Sequence, residues 1–339
     1  MRPRDHHAVD DGATPSPQRR RYDAEIVFNR VLCREHWLLR LRIIGDLAPT
    51  MPGQFVQLGC RSPKAETWIG NESSAPIGAW PQLHQPELCG SVALLRRPFS
   101  IAERGEDDGG DWIEVIHRVV GVGTDWLAHL EAGESVDLIG PLGNHFDVPP
   151  QRDLGLLVGG GVGLPPMIYL ARRLVAEGWD AVAFVAARSA DLLALTMEGQ
   201  TPSGEGRPTM CAREFTRHRV GAVVMTDDGS LGAKGLLGEG VERYLETLDA
   251  DDRRRAVVFT CGPEPMMRGV ASLASRFGTD CQVCLEQAMA CGMGTCQSCV
   301  VKIESDPASA HGKADNDRPW RYRLACTDGP VFDARQVVW

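Results

Sequence analysis

No stretch of this chain approaches the roughly 18 consecutive apolar residues that a membrane-spanning helix needs. No Lys/Arg-rich stripe offsets the formal net charge of −9, which argues against a nucleic-acid-binding face. Residues 1–21 are polar, rich in Pro, His and Arg, and lack the apolar centre of a secretory leader; they are expected to form a disordered tail. Eleven cysteines could suggest a secreted disulfide protein, but the chain is large at 339 residues and nothing like a leader accompanies them. A reducing cytoplasm is therefore expected, where free thiols can serve a metal centre. Internal repeats are missing, and so is any constellation of paired acid and base residues beside a substrate pocket.

What is present suffices for two or three domains, with 43% apolar residues. Over 22–150 the signals are short and strand-like, at 24–34, 36–44, 54–58, 112–119 and 135–139, punctuated by Gly and Pro. They predict an antiparallel β-barrel or sandwich. One helical stretch, 124–130, follows Gly121-Val122-Gly123. A Pro-, Trp-, Ser- and Gly-rich segment over about 59–94 is expected to be an insertion, because compact domains rarely carry structureless loops that long. From 151 the texture changes. Apolar strands at 154–158, 181–186, 220–225 and 256–260 alternate with helical patterns such as 165–178 and 236–248. That alternation predicts a doubly wound parallel sheet over 151–277. The expected fold class is multidomain α/β plus β, closed by a small cysteine-rich region over 278–339.

The most specific chemistry lies in that last region. Cys291, Cys296 and Cys299 stand in the run C-G-M-G-T-C-Q-S-C, and Cys326 follows after 26 further residues. This is the C-x4-C-x2-C…C spacing of a plant-type [2Fe-2S] site. Gly292 and Gly294 permit positive φ and close approach, so the backbone can curl round a cluster and offer N–H groups to its sulfurs. A four-cysteine zinc site and plain buried thiols are the alternatives. Zinc ligands usually come as two C-x2-C knuckles, and Cys281 and Cys284 supply a second pair. The run from Gln282 to Glu286 alternates like a strand, however, with no Gly turn between those sulfurs.

Two further loops point to nucleotides. Gly159, Gly160, Gly161 and Gly163 follow an apolar strand and precede a helix, a place where free N–H groups and the helix dipole favour a pyrophosphate. The run is G-G-G-V-G and not the G-x-G-x-x-G dinucleotide fingerprint, so a tight structural turn is the competing explanation. A second loop, with Cys261, Gly262 and Pro263, also follows a strand and opens a helix. Two such loops at the C-terminal ends of parallel strands converge on one crevice. In the β-rich half, Arg97-Pro98-Phe99-Ser100 sets a guanidinium on an extended strand, suited to a phosphate, with a Ser hydroxyl beyond it. Gly123 and Thr124 could receive the other end of a diphosphate; an ordinary strand and a helix cap are the plain alternative.

In this order, these stretches resemble the ferredoxin-reductase superfamily, and within it the electron-transfer subunits of class 1B dihydroorotate dehydrogenases. The matching stretches are 95–101, 121–124, 140–144 (Gly-Pro-Leu-Gly-Asn), 158–166, 260–266, and 285–299 with Cys326. The resemblance implies FAD in the barrel of 22–150, along Arg97, Pro98, Phe99 and Ser100, beside a strand of Ile116, His117 and Arg118, with Gly123 and Thr124 at the diphosphate. It implies NADH over the loops at Gly159–Gly163 and Cys261–Met266 in 151–277. It makes Cys291, Cys296, Cys299 and Cys326 the [2Fe-2S] ligands in 278–339. The partner implied is an FMN-containing dihydroorotate dehydrogenase catalytic subunit, assembled as a heterotetramer in pyrimidine biosynthesis. A subunit linking NAD(P)H to ferredoxin or a hydrogenase, and a stand-alone NAD(P)H oxidoreductase, share the same wiring. Departures are the insertion, a His at 117 where an aromatic residue such as Tyr is expected, and a long gap before Cys326, for which Cys261, Cys281 and Cys284 are alternates. Arg188-Ser189 leaves room for a 2′-phosphate, hence for NADPH.

Overall fold

Period-two burial builds the first half of the molecule. In β1 (Arg20–Cys33), Tyr22, Ala24 and Ile26 are buried and the residues between them are exposed, so one face of the strand must be covered. The computed structural model describes residues 19–61, 93, 95–304 and 320–339. Most of the expected tail and insertion, and the polar stretch before residue 320, lie outside the described residues. β1 is followed by β2 (His36–Ile43), β3 (Phe55–Leu58), β4 (Arg97–Ser100), β5 (Glu103–Asp107), β6 (Gly110–Arg118), α1 (Val122–Ala128) and β7 (Ser135–Leu142). The strands form one antiparallel sheet in the order β4-β3-β7-β1-β2-β6-β5. Its two outermost strands are consecutive in the chain, joined only by Ile101 and Ala102. Ile101 N–H bonds the Gln54 carbonyl at 3.2 Å and Ala102 N–H bonds the Glu114 carbonyl at 2.8 Å. The sheet therefore curls round until its two outermost strands meet at these two residues, in the manner of a barrel. The helix begins at Val122, two residues ahead of its expected start, so Gly123 and Thr124 lie inside its first turn.

The second half reads as near-continuous apolar runs, as strands buried on both faces must. β8 (Leu154–Gly160), β9 (Asp180–Ala187), β10 (Gly221–Thr226), β11 (Ala233–Lys234), β12 (Ala256–Cys261) and β13 (Asp280–Cys284) are all parallel. Every residue of β8 and β12 is buried. Side chains alternate between two cores. Leu156, Val158 and Val258 face α4 (Leu237–Thr247) and α6 (Glu264–Phe277); Leu157, Val257 and Phe259 face α2 (Leu164–Ala176) and α3 (Arg213–Thr216). Each large side chain buried this way contributes on the order of 1.5–3 kcal/mol. A short α5 (Ala250–Arg255) leads into β12. The strand order β11-β10-β9-β8-β12-β13 reverses direction between β8 and β12, which sets the loops after those two strands side by side.

The C-terminal region is fastened to both halves. β14 (Val300–Glu304) and β15 (Trp320–Leu324) form a hairpin, and β16 (Val331–Asp333) pairs antiparallel with β13. The parallel sheet thus runs past the boundary expected at 277 and takes in residues 280–284 and 331–333. Asn144, just beyond β7, clamps the same region to the barrel: its side-chain amide donates to Val331 O at 2.8 Å and accepts from Val331 N at 2.9 Å. The barrel half also meets α2 directly through Thr50 and Tyr169, whose hydroxyls lie 2.8 Å apart. Among the described residues no helix is long and apolar enough to cross a membrane.

Candidate functional site

A cleft of about 1230 Å³ opens where the barrel, the parallel sheet and the C-terminal region meet. It gathers most of the residues singled out by sequence. Arg97, Pro98, Phe99 and Ser100 of β4, Ile116, His117 and Arg118 of β6, and Gly123 and Thr124 of α1 line one side. Gly160, Gly161, Cys261 and Pro263 line the other, while Gly159, Gly163 and Gly262 do not line the cleft.

Among the described residues that line the cleft, the barrel side has one arginine without a carboxylate partner. Arg96 is spent on an ion pair with Asp137, whereas Arg97 donates only to the carbonyls of Leu95 at 2.8 Å and Arg96 at 3.2 Å. Among the described residues Arg97 has no carboxylate partner, so its charge is available to an anion in the cleft. Arg118 differs, since both Nε and Nη2 donate to Glu35 Oε2, at 2.9 and 2.7 Å. Thr124 is also committed: its hydroxyl accepts from Val120 N at 2.9 Å and donates to Gly121 O at 3.0 Å. The helix-cap alternative thus accounts for the Thr124 side chain, leaving only first-turn backbone N–H groups for a ligand.

His117 is buried, stacked on Trp37 at 6.0 Å and edge-on to Phe99 at 6.1 Å. Burial, and then the neighbouring His36, push its pKa down to about 4. It is therefore neutral at physiological pH and ill-suited to carry a proton there. Both ring nitrogens are buried without partners among the described residues.

The glycine loop departs from a phosphate cradle. Leu164 N–H is used by Gly161 O, and Pro165 and Pro166 occupy the first turn of α2 without N–H groups. The donors left there belong to residues 161–163. Its glycines instead permit contact between loops. A β-carbon on Gly163 would run into the Cys261 carbonyl, and one on Gly262 would lie 2.8 Å from Met266 Cε and 2.9 Å from Gly160 O. At the start of α6, Pro263, Glu264 and Pro265 likewise leave little room for an anion. Arg188 and Asp227, just beyond the paired strands β9 and β10, also line the cleft. Ser189 Oγ is tied to Asp191 at 2.5 Å. Asp227 carried no signal in the sequence beyond its place after a predicted strand.

The third side of the cleft was not anticipated. Cys284, Leu285, Glu286, Gln287 and Met289 line it and lead straight into the thiol loop. Gly292 (φ 70°), Gly294 (φ 91°) and Gln297 (φ 57°) are all left-handed, which curls the loop as a multi-thiolate site requires. Cys291 Sγ accepts from Met293 N and Cys296 N, each at 3.4 Å. Cys299 and Cys326 are buried side by side, fixed by Ala325 N–H on the Cys299 carbonyl at 3.0 Å. Hydrogen bonds from Ser298, and then from Cys291, bring the Cys296 thiol down to about 6. Burial, and then Cys299, push Cys326 up to about 12. Four thiols with N–H donors on a left-handed loop fit an iron–sulfur cluster, whose charge would strip the proton from Cys326.

The alternates separate from this site. Cys281 and Cys284 point into opposite cores, so they make no zinc knuckle. Cys284 instead pairs with Cys261 across β12 and β13, both lining the cleft. Among the described residues, no three His, Cys, Asp or Glu side chains form a site for a single metal ion.

Comparison with known proteins agrees with this picture. Residues 286–338 match the iron–sulfur cluster binding domain of dihydroorotate dehydrogenase B. The chain is 33% identical over 253 residues, 74% of its length and 84% of the relative's, to the dihydroorotate dehydrogenase B (NAD(+)) electron transfer subunit of Desulforamulus reducens. It is 34% identical over 249 residues, 72% and 80% of the two lengths, to that of Shouchella clausii. A chain from the structure of the NADH-dependent reduced ferredoxin-NADP oxidoreductase superposes with a TM-score of 0.65 at 23% identity, covering 97% of this chain and 91% of that one. The ferredoxin reductase of carbazole 1,9a-dioxygenase gives 0.56 at 20% identity, covering 80% and 70%. At these identities the two structures bear on the fold, an antiparallel sheet joined to a parallel one.

Proposed function

The chain belongs to the family of dihydroorotate dehydrogenase B electron-transfer subunits, and we propose that it takes electrons from NADH and delivers them singly to the FMN of a separate dihydroorotate dehydrogenase subunit. One observation carries this reading. Cys284, Leu285, Glu286, Gln287 and Met289 line the cleft, and the chain runs directly from them into the loop of Cys291, Cys296 and Cys299, so one continuous segment joins the cleft to the thiol site. When bound, FAD would convert the electron pair of a nicotinamide hydride into the single electrons that a [2Fe-2S] cluster accepts.

In this reading 22–150 binds FAD, 151–277 binds NADH and 278–339 binds the cluster, the last as an extension of the nucleotide sheet through β13 and β16. Arg97 neutralises a phosphate. Pro98, Phe99 and Ser100 lie along the flavin with Ile116 and the neutral His117, whose unpartnered nitrogens are free to hydrogen-bond it. Gly160, Gly161, Cys261 and Pro263 shape the nicotinamide end. Asp227 suits a ribose 2′-hydroxyl and repels a 2′-phosphate, and Ser189 is already engaged by Asp191, which supports NADH over NADPH. Cys291, Cys296, Cys299 and Cys326 hold the iron. Dihydroorotate chemistry belongs to the partner, in a cytoplasmic heterotetramer.

Mixing tests this. The purified chain should be brown-yellow and reduce dyes with NADH, yet interconvert dihydroorotate and orotate only when the FMN-containing subunit is added. Turnover by the chain alone, or a colourless zinc-loaded protein, would sink the reading.

A further inference from the structure

Gln57, in the middle of β3, is 0% exposed, and neither its amide nitrogen nor its amide oxygen has a partner among the described residues. Leaving a buried amide unbonded is unfavourable, and an apolar side chain of the same size would avoid that cost. What covers it is the thiol loop. A β-carbon on Gly292 would lie 2.7 Å from both Gln57 Cγ and Gln57 Nε2, so the side chain packs against the backbone immediately after Cys291. On the neighbouring strand its register partner is Pro98, which lines the cleft. Gln57 thus stands between the strand that walls the cleft and the loop that carries the thiols. Gly292 is required there twice, for its φ of 70° and for the room it leaves the amide.

We propose that Gln57 is a positioning residue for the iron–sulfur site, its Nε2–H reserved as a hydrogen-bond donor to the sulfur shell at Cys291 and raising the reduction potential of the cluster. This rests on the cluster assignment made above. The physical basis is that a donor to sulfur stabilises the more negative, reduced cluster more than the oxidised one. A side chain that merely filled space would leave the potential alone.

The test is an EPR-monitored redox titration of the full chain carrying Gln57→Leu or Gln57→Met, both without a donor, with Gln57→His as a variant that restores one. With iron and sulfide content matched to wild type, the Leu and Met variants should titrate at a lower potential, by about tenfold in the one-electron equilibrium, or about 59 mV. Gln57→His should recover part of that shift. Should the Leu variant fail to fold, the Met variant reads the same quantity. A full cluster with an unmoved midpoint in the donor-free variants overturns the role of Gln57. Absence of any [2Fe-2S] signal in wild type overturns the assignment beneath it, so the two failures are distinguishable.

Discussion

Glu103 on the barrel accepts from Arg172 of α2 at 2.7 Å with one carboxylate oxygen, and the other oxygen meets Arg217 at 3.0 Å and His218 at 3.2 Å. This buried carboxylate ties the two halves that form the cleft. Burial alone would raise its pKa, but hydrogen bonds from His218 and Arg172, with the charge of Arg217, hold it below the usual 4.5. Glu103→Ala should cost about 1–3 kcal/mol of stability, because it takes the acceptor from His218 and from two arginines that themselves stay partly exposed to water. The sign with pH follows from a depressed folded-state pKa. The contribution is complete above about 4.5 and is lost as pH falls through the lower folded value. Thermal melts of wild type and variant should therefore converge below that range, and a constant difference down to pH 3 would count against the clamp.

Gly163→Ala should damage the cleft without touching a ligand. Its β-carbon meets the Cys261 carbonyl, a backbone atom that cannot swing aside. The two loops must part, at a cost of about 1–3 kcal/mol. The expected outcome is a raised KM for NADH with retained flavin, measured by dye reduction and absorbance. An unchanged KM would show that the close approach of these loops does not shape the nucleotide site.

Asp227→Ala should narrow the preference for NADH. Removing the carboxylate from the cleft takes away repulsion of a 2′-phosphate and leaves Arg188 beside it. The ratio of kcat/KM for NADH over NADPH should fall by about tenfold, or roughly 1.4 kcal/mol. A ratio that stays fixed would place the ribose elsewhere.

Much of this was legible in the sequence, for reasons that differ by region. β8 and β12 declare themselves because strands buried on both faces must be apolar throughout, and the thiol spacing is tied to the chemistry it serves. Other elements depend on partners distant in the chain. β16 is three residues long and exists because β13 lies beside it, so no local pattern announces it. Pro165 and Pro166 mark a helix start from sequence, yet only the fold shows how few N–H donors the glycine loop retains. The burial of Gln57 could not be foreseen, since a polar residue in a short strand usually faces water.

Exit of electrons through the thiol loop can be followed by stopped-flow measurement of NADH-driven FMN reduction in the partner subunit, comparing wild type with Cys296→Ser. Cys296 is an exposed thiol outside the cores, so the variant should fold, bind FAD and keep dye reduction by NADH. Electron delivery to the partner should fall by about a hundredfold or more. Undiminished FMN reduction in a variant without the cluster would contradict exit through that loop.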